Sequence, residues 1–137
     1  MKLNDICFWR FEGFMLLGGL ITSVFLYAAL RLLGIIYGNP YWVYYDFIIL
    51  ICSSNIIGGL FTWKIAQKSH WIKQTMWQTM IAAILLFLIQ LILTCGKIDQ
   101  AGISIIFLFT LISSLSAIIP NLLCCYLNKV ILNSNNR

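Results

Sequence analysis

The sequence predicts an all-α membrane protein in which four transmembrane helices form two helical hairpins of the same topology. Three observations lead there. Hydrophobic residues make up 61% of the 137-residue chain and charged ones 9%, with a mean hydropathy of +0.93, against roughly 45–50% and 25% in a soluble domain. A soluble chain of this size has no interior large enough for that much apolar surface, because small domains keep much of their surface exposed. The apolar residues are also gathered into four runs, each long enough at about 1.5 Å per residue to cross about 30 Å of hydrocarbon. Only short polar joints separate them, so residues 1–137 read as a single membrane domain.

The amino-terminal stretch mixes Lys2, Asp5, Arg10 and Glu12 with Ile6, Phe8, Trp9 and Phe11, which suits a segment lying along the lipid surface. The first span is expected at about 13–33, with Gly18, Gly19, Thr22 and Ser23 keeping one stretch of it small enough for close helix approach. Gly38-Asn39-Pro40 then signals a turn. The second span, about 42–63, enters through the aromatic cluster Tyr41, Trp42, Tyr44 and Tyr45, and carries Asp46 near its start and Asn55 deeper. A joint with Lys64, Lys68, His70 and Lys73 leads to the third span at about 77–95, followed by Lys97 and Asp99. The fourth span is expected at about 102–127, bent at Pro120, which has no backbone N–H to donate.

Charge sets the orientation. Seven of the nine basic residues (Lys2, Arg10, Lys64, Lys68, Lys73, Lys129, Arg137) fall on one side of these spans, and Arg31 and Lys97 on the other. The positive-inside rule then makes both termini and the middle joint cytoplasmic. No cleavable signal peptide is expected, because the first eight residues are too polar and the first apolar run leads into more membrane. The five cysteines show no CxxC spacing and read as small packing residues rather than a disulfide or metal set. A net charge of +5 suits anionic lipid head groups or substrates, whereas nucleic acid is excluded for want of a soluble basic surface.

The two halves, 1–71 and 72–137, resemble each other. An offset of 66 residues places Asn55-Ile-Ile-Gly-Gly on Asn121-Leu-Leu-Cys-Cys and Glu12 on Gln78, although Lys64 falls on Val130. Two hairpins that both enter from the cytoplasm and return to it would be related by an axis along the membrane normal, an arrangement in which transporters place a site at the repeat interface.

Polar groups inside a membrane are expensive and therefore candidates for function. Asn55 and Asn121 lie at matching depths, where each could bond a ligand or bridge two helices. Glu12 stands at the mouth of the first span, about 200° around the helix from Arg10, so its partner is expected from another element, Lys64 or Lys129, or is a proton. Arg10, Lys64 and Lys129 form a set of cations at span ends suited to a lipid phosphate. Arg31 and Asp46 are expected to pair near the outer boundary. No HExxH, GxSxG, P-loop, paired carboxylate or metal-ligand group is present, and His70 stands alone in a joint; neither catalysis nor a cofactor is expected.

Several phrases resemble the GtrA-like proteins, small four-span membrane proteins of bacterial and phage surface-polysaccharide pathways. Gly18-Gly19-Leu20-Ile21-Thr22 after the aromatic-basic opening Trp9-Arg10-Phe11 is similar to the family's Gly-x-x-x-Thr phrase. Pro40-Tyr41 before the second span fits, and Leu127-Asn128-Lys129-Val130-Ile131-Leu132 resembles its closing Leu-Asn-Arg/Lys stretch. The first hairpin departs from the pattern, ending in Thr62-Trp63-Lys64 where the family has Asn before Arg or Lys. The resemblance implies flipping of a polyprenyl-phosphate-linked sugar across the bacterial cytoplasmic membrane for use by a glycosyltransferase, with membrane lipid, that enzyme and further copies of the chain as partners. Two alternatives stand beside it. One is a proton-coupled exporter of hydrophobic cations, which needs an embedded carboxylate where Glu12 looks interfacial; the other is a non-transporting partner that positions a glycosyltransferase.

Overall fold

A computed structural model describes residues 3–34, 41–68, 70–94 and 100–134. It is all-α: α1 (Leu3–Leu32), α2 (Tyr41–Lys68), α3 (Trp71–Leu93) and α4 (Gln100–Ser134). All four are long and apolar enough to cross a membrane, so the chain is a four-span helical membrane protein. The turn at Gly38-Asn39-Pro40, the side chains of Tyr41, Trp42 and Tyr44, and Lys2, Cys95, Lys97, Asp99 and Arg137 lie outside the described residues.

The first helix differs from expectation. The amino-terminal segment does not lie apart along the surface: α1 is continuous from Leu3. No proline or glycine interrupts residues 3–12, and two of the aromatic residues there, Phe8 and Phe11, have a partner within the bundle. Phe8 meets Trp63 edge-on at 5.5 Å, Phe11 lies 5.4 Å from the same ring, and Phe11 is completely buried. At its other end α1 stops where Gly34 takes a positive φ of 69° and its N–H returns to Arg31 O at 3.1 Å, a glycine termination.

The third helix starts six residues earlier than hydropathy alone places it. His70 sits in an extended conformation and its ring accepts from the Ile72 N–H at 3.5 Å, capping the helix before the apolar run begins. The fourth runs on through Pro120.

Neighbouring helices pack in a ring: α1 on α2, α2 on α3, α3 on α4, and α4 back on α1. The start of α1, the end of α4 and the α2–α3 joint share one end of the bundle, called the terminal end below. There Phe11, Met15, Cys124 and Cys125 form an apolar cluster flanked by Phe14, Trp63 and Trp71. At the opposite end Leu26, Leu30 and Ile51 pack with Phe47, Phe109 and Ile112. Large apolar side chains such as Phe25 and Ile119 point outward, as they must where the surroundings are hydrocarbon. The buried set is correspondingly polar: among the described residues 13 buried side chains are polar and 11 hydrophobic.

Glycines allow this tight interior. A Cβ at Gly19 would stand 3.0 Å from the Cys52 backbone, and one at Gly18 would stand 2.7 Å from Asn121 Oδ1.

Candidate functional site

Between the two apolar clusters lies a polar layer fed by all four helices. Asn55 Nδ2 on α2 donates to Asn121 Oδ1 on α4 at 3.2 Å and approaches Met15 O on α1 at 3.4 Å. Asn121 Nδ2 reaches Thr79 Oγ1 on α3 at 3.4 Å. Gln78 Nε2 donates to Asn55 O at 2.8 Å, and its Oε1 accepts from the Thr62 hydroxyl, which also lies 3.0 Å from Gly58 O. A hydroxyl has one hydrogen to give, so the two Thr62 contacts are alternatives. The two asparagines matched by the 66-residue offset therefore touch, joining the diagonal helices α2 and α4. Both are essentially fully buried and their amides are engaged by protein groups, so a ligand reaching them would first have to break these bonds.

Closer to the terminal end the bonding stops. Glu12 is 7% exposed, yet neither carboxylate oxygen accepts a hydrogen bond. A Cβ at Gly59 would lie 2.8 Å from each of those oxygens, so only glycine lets α2 pass the carboxyl at this distance. Gln74, fully buried on α3, bonds through neither amide atom; Asn128 Oδ1 on α4 is a buried acceptor without a partner; and Arg10 turns Nε and Nη2 inward unbonded. A buried polar group without a partner costs about 1–3 kcal/mol, and more when charged. Four such side chains at one end of a small bundle form a place for polar matter, water or ligand. The Trp63 and Trp71 rings border it through the Phe11–Met15–Cys124–Cys125 cluster, with Trp71 edge-on to Tyr126 at 5.4 Å.

Glu12 is thus buried within the bundle, and neither Lys64 nor Lys129 hydrogen-bonds its carboxyl. It lies more than two turns into α1, which begins at Leu3. Arg10, Lys64 and Lys129 all belong to the terminal end; Lys64 is exposed, and Lys129 and Arg10 are half-buried. At the opposite end Arg31 and Asp46 are both exposed, and among the described residues no ion pair joins them. No trio of His, Cys, Asp or Glu that could hold a metal is found among the described residues.

Sequence reasoning did not single out Gln74, Thr62 or Asn128 as candidates. The available signal was the 66-residue offset, which relates Thr62 to Asn128 as it relates Glu12 to Gln78.

A second feature is external. Along α3 and α4 run two adjoining apolar hollows of about 650 and 540 Å³ that share Thr79, Ala83, Ser114 and Ile118. Between Ile72 and Leu88 the lining of α3 extends for about 24 Å of helix. Lys73, exposed, stands on the rim at the terminal end, and Thr79 lines both hollows while meeting the interior layer through Asn121.

Fold and site together define a four-span helical membrane protein with buried, unbonded polar side chains at one end and a long lateral groove on α3 and α4. Comparison with known families, characterised proteins and solved structures finds no match to the chain.

Proposed function

We propose that this protein moves a polyprenyl-phosphate-linked sugar from the cytoplasmic to the outer leaflet of a bacterial cytoplasmic membrane, with both termini in the cytoplasm. The observation that carries the reading is the pairing of an apolar groove, Lys73 at its mouth, with unbonded polar side chains just inside the neighbouring helices. An amphiphile has the same two parts. A hydrocarbon tail lies in the groove at no cost relative to lipid, an ammonium at the rim meets the phosphate, and the carboxyl and amide groups of Glu12, Gln74 and Asn128 meet hydroxyls that would otherwise enter hydrocarbon unbonded. The sequence resemblance to GtrA-like proteins points the same way, and Arg10, Lys64 and Lys129 add cations at the same end.

The test is transfer in liposomes containing only the purified full-length chain, using a short-chain polyprenyl-phosphate sugar placed in one leaflet. Protein-dependent arrival in the other leaflet is expected, and Lys73→Gln is expected to slow it about tenfold at sub-saturating substrate, the equivalent of one charge-assisted hydrogen bond. If no transfer occurs until a membrane glycosyltransferase is added, the chain is a partner rather than a carrier. If the liposomes instead exchange hydrophobic cations for protons, the exporter alternative replaces this one.

A further inference from the structure

Gln78 and Glu12 are related by the offset that relates Asn121 to Asn55, and each is buried on the first helix of its hairpin. Gln78 is satisfied by α2: it donates to Asn55 O, accepts from Thr62, and has Gly58 beside it, where a Cβ would stand 3.2 Å from Nε2. The offset carries Asn55, Thr62 and Gly58 to Asn121, Asn128 and Cys124, all buried on α4. At this level α4 packs on α1, with Cys124 and Cys125 against Phe11 and Met15.

A glutamine suits position 78 because it offers one donor and one acceptor to two partners. An ionised carboxylate offers acceptors only; a protonated one has the donor and acceptor of a glutamine. At position 12 both carboxyl oxygens are buried without a donor, and Asn128 Oδ1 is a buried acceptor without one as well. A carboxylate has no hydrogen to give an acceptor such as this, and a neutral acid does.

No neighbouring charge takes its place. On α1 itself Arg10 bonds nothing through Nε or Nη2. From α2 come Gly59 and, farther along, exposed Lys64; from α3 come Gln74 and Gln78, with His70 and Lys73 exposed at the helix start. From α4 come the Cys124 and Cys125 thiols, Asn128 and half-buried Lys129. None of these donates to Glu12, and an unpaired charge buried in a membrane is far more costly than a neutral acid.

We infer that Glu12 is a proton-carrying site, holding a proton while the terminal end of the bundle is closed as in this structure and releasing it to water when that end opens. The carboxyl O–H breaks, the proton passes to a water molecule, and the carboxylate left behind takes its hydrogen bonds from the water that enters, with Gln74 Nε2 a further unbonded donor at the same end of the bundle. What the exchange drives rests on the transport reading; the proton itself does not.

The test is infrared difference spectroscopy of the full chain in lipid at neutral pH, which reads the carbonyl stretch of a protonated carboxyl without any substrate. The expected result is one such band in the wild type, complete loss of it in Glu12→Gln, and a shifted band in Glu12→Asp. Glu12→Gln should also match the wild type in thermal unfolding, since the amide reproduces the neutral acid. A folded wild type without the band, or a Glu12→Gln protein markedly less stable than wild type, overturns the inference. The band present with no sugar-lipid transfer in liposomes sinks the transport reading alone; transfer without the band sinks this one alone.

Discussion

Replacing Gly59 by alanine tests the packing around Glu12 most directly. The new Cβ would lie 2.8 Å from both carboxylate oxygens and 3.1 Å from their carbon, closer than the roughly 3.5–4.0 Å at which such atoms attract. In an open helix the same change stabilises, because glycine costs about 0.8–1.0 kcal/mol relative to alanine. Gly13 provides that reference, being exposed on α1 with nothing within 4 Å of its Cβ position. At Gly59 the gain is set against overpacking of about 1–3 kcal/mol, since Glu12 is only 7% exposed and the Phe11 beside it is fully buried. The net expectation is a loss of up to about 2 kcal/mol for Gly59→Ala and a gain of up to about 1 kcal/mol for Gly13→Ala. Denaturant titration of the protein in mixed micelles measures both. Shortening the acid removes the clash, so Gly59→Ala should cost less in a Glu12→Ala background, with a coupling of at least about 0.5 kcal/mol. Equal stabilisation by the two alanines, or no coupling to position 12, would refute the close approach of α2 to the Glu12 carboxyl.

Three other outcomes follow from the same geometry. Asn55→Ala and Asn121→Ala should each destabilise by about 0.6–2 kcal/mol, the range for hydrogen bonds between membrane helices, and the double variant should lose less than the sum in the same denaturation assay because both remove one shared bond. Thr62→Val should cost about 1–3 kcal/mol by leaving Gln78 Oε1 without a donor, whereas Ser104→Ala, on an exposed residue bonding only its own helix, should leave the unfolding midpoint unchanged. Arg31→Gln and Asp46→Asn should be additive within about 0.3–0.5 kcal/mol, since no ion pair joins them; a larger coupling would show that they meet in the membrane.

The number of spans could be read from the sequence because hydropathy is local and nearly additive along a chain. Their limits were less legible where partners decide them. Hydropathy separates the residues before Gly13 from the first span, while packing of Phe8 and Phe11 on Trp63 makes residues 3–12 part of α1. His70 extends α3 in the same way, through a cap that no hydropathy window registers. The candidate site was legible only as an inventory: Glu12, Arg10, Asn55 and Asn121 stand out as polar groups among apolar ones.

What the sequence by itself determined is therefore the class of protein, four apolar spans in lipid, together with which residues are costly to place there. The tertiary structure decided which of those costs are met. Asn55 finds Asn121, and Gln78 finds Asn55 and Thr62, while Glu12, Gln74 and Asn128 Oδ1 find no partner at the terminal end. The physical reason is that hydrogen bonding depends on helix rotation and relative depth to within about 1 Å, set by close contacts such as those at Gly18, Gly19 and Gly59, and a linear pattern of hydropathy carries neither quantity.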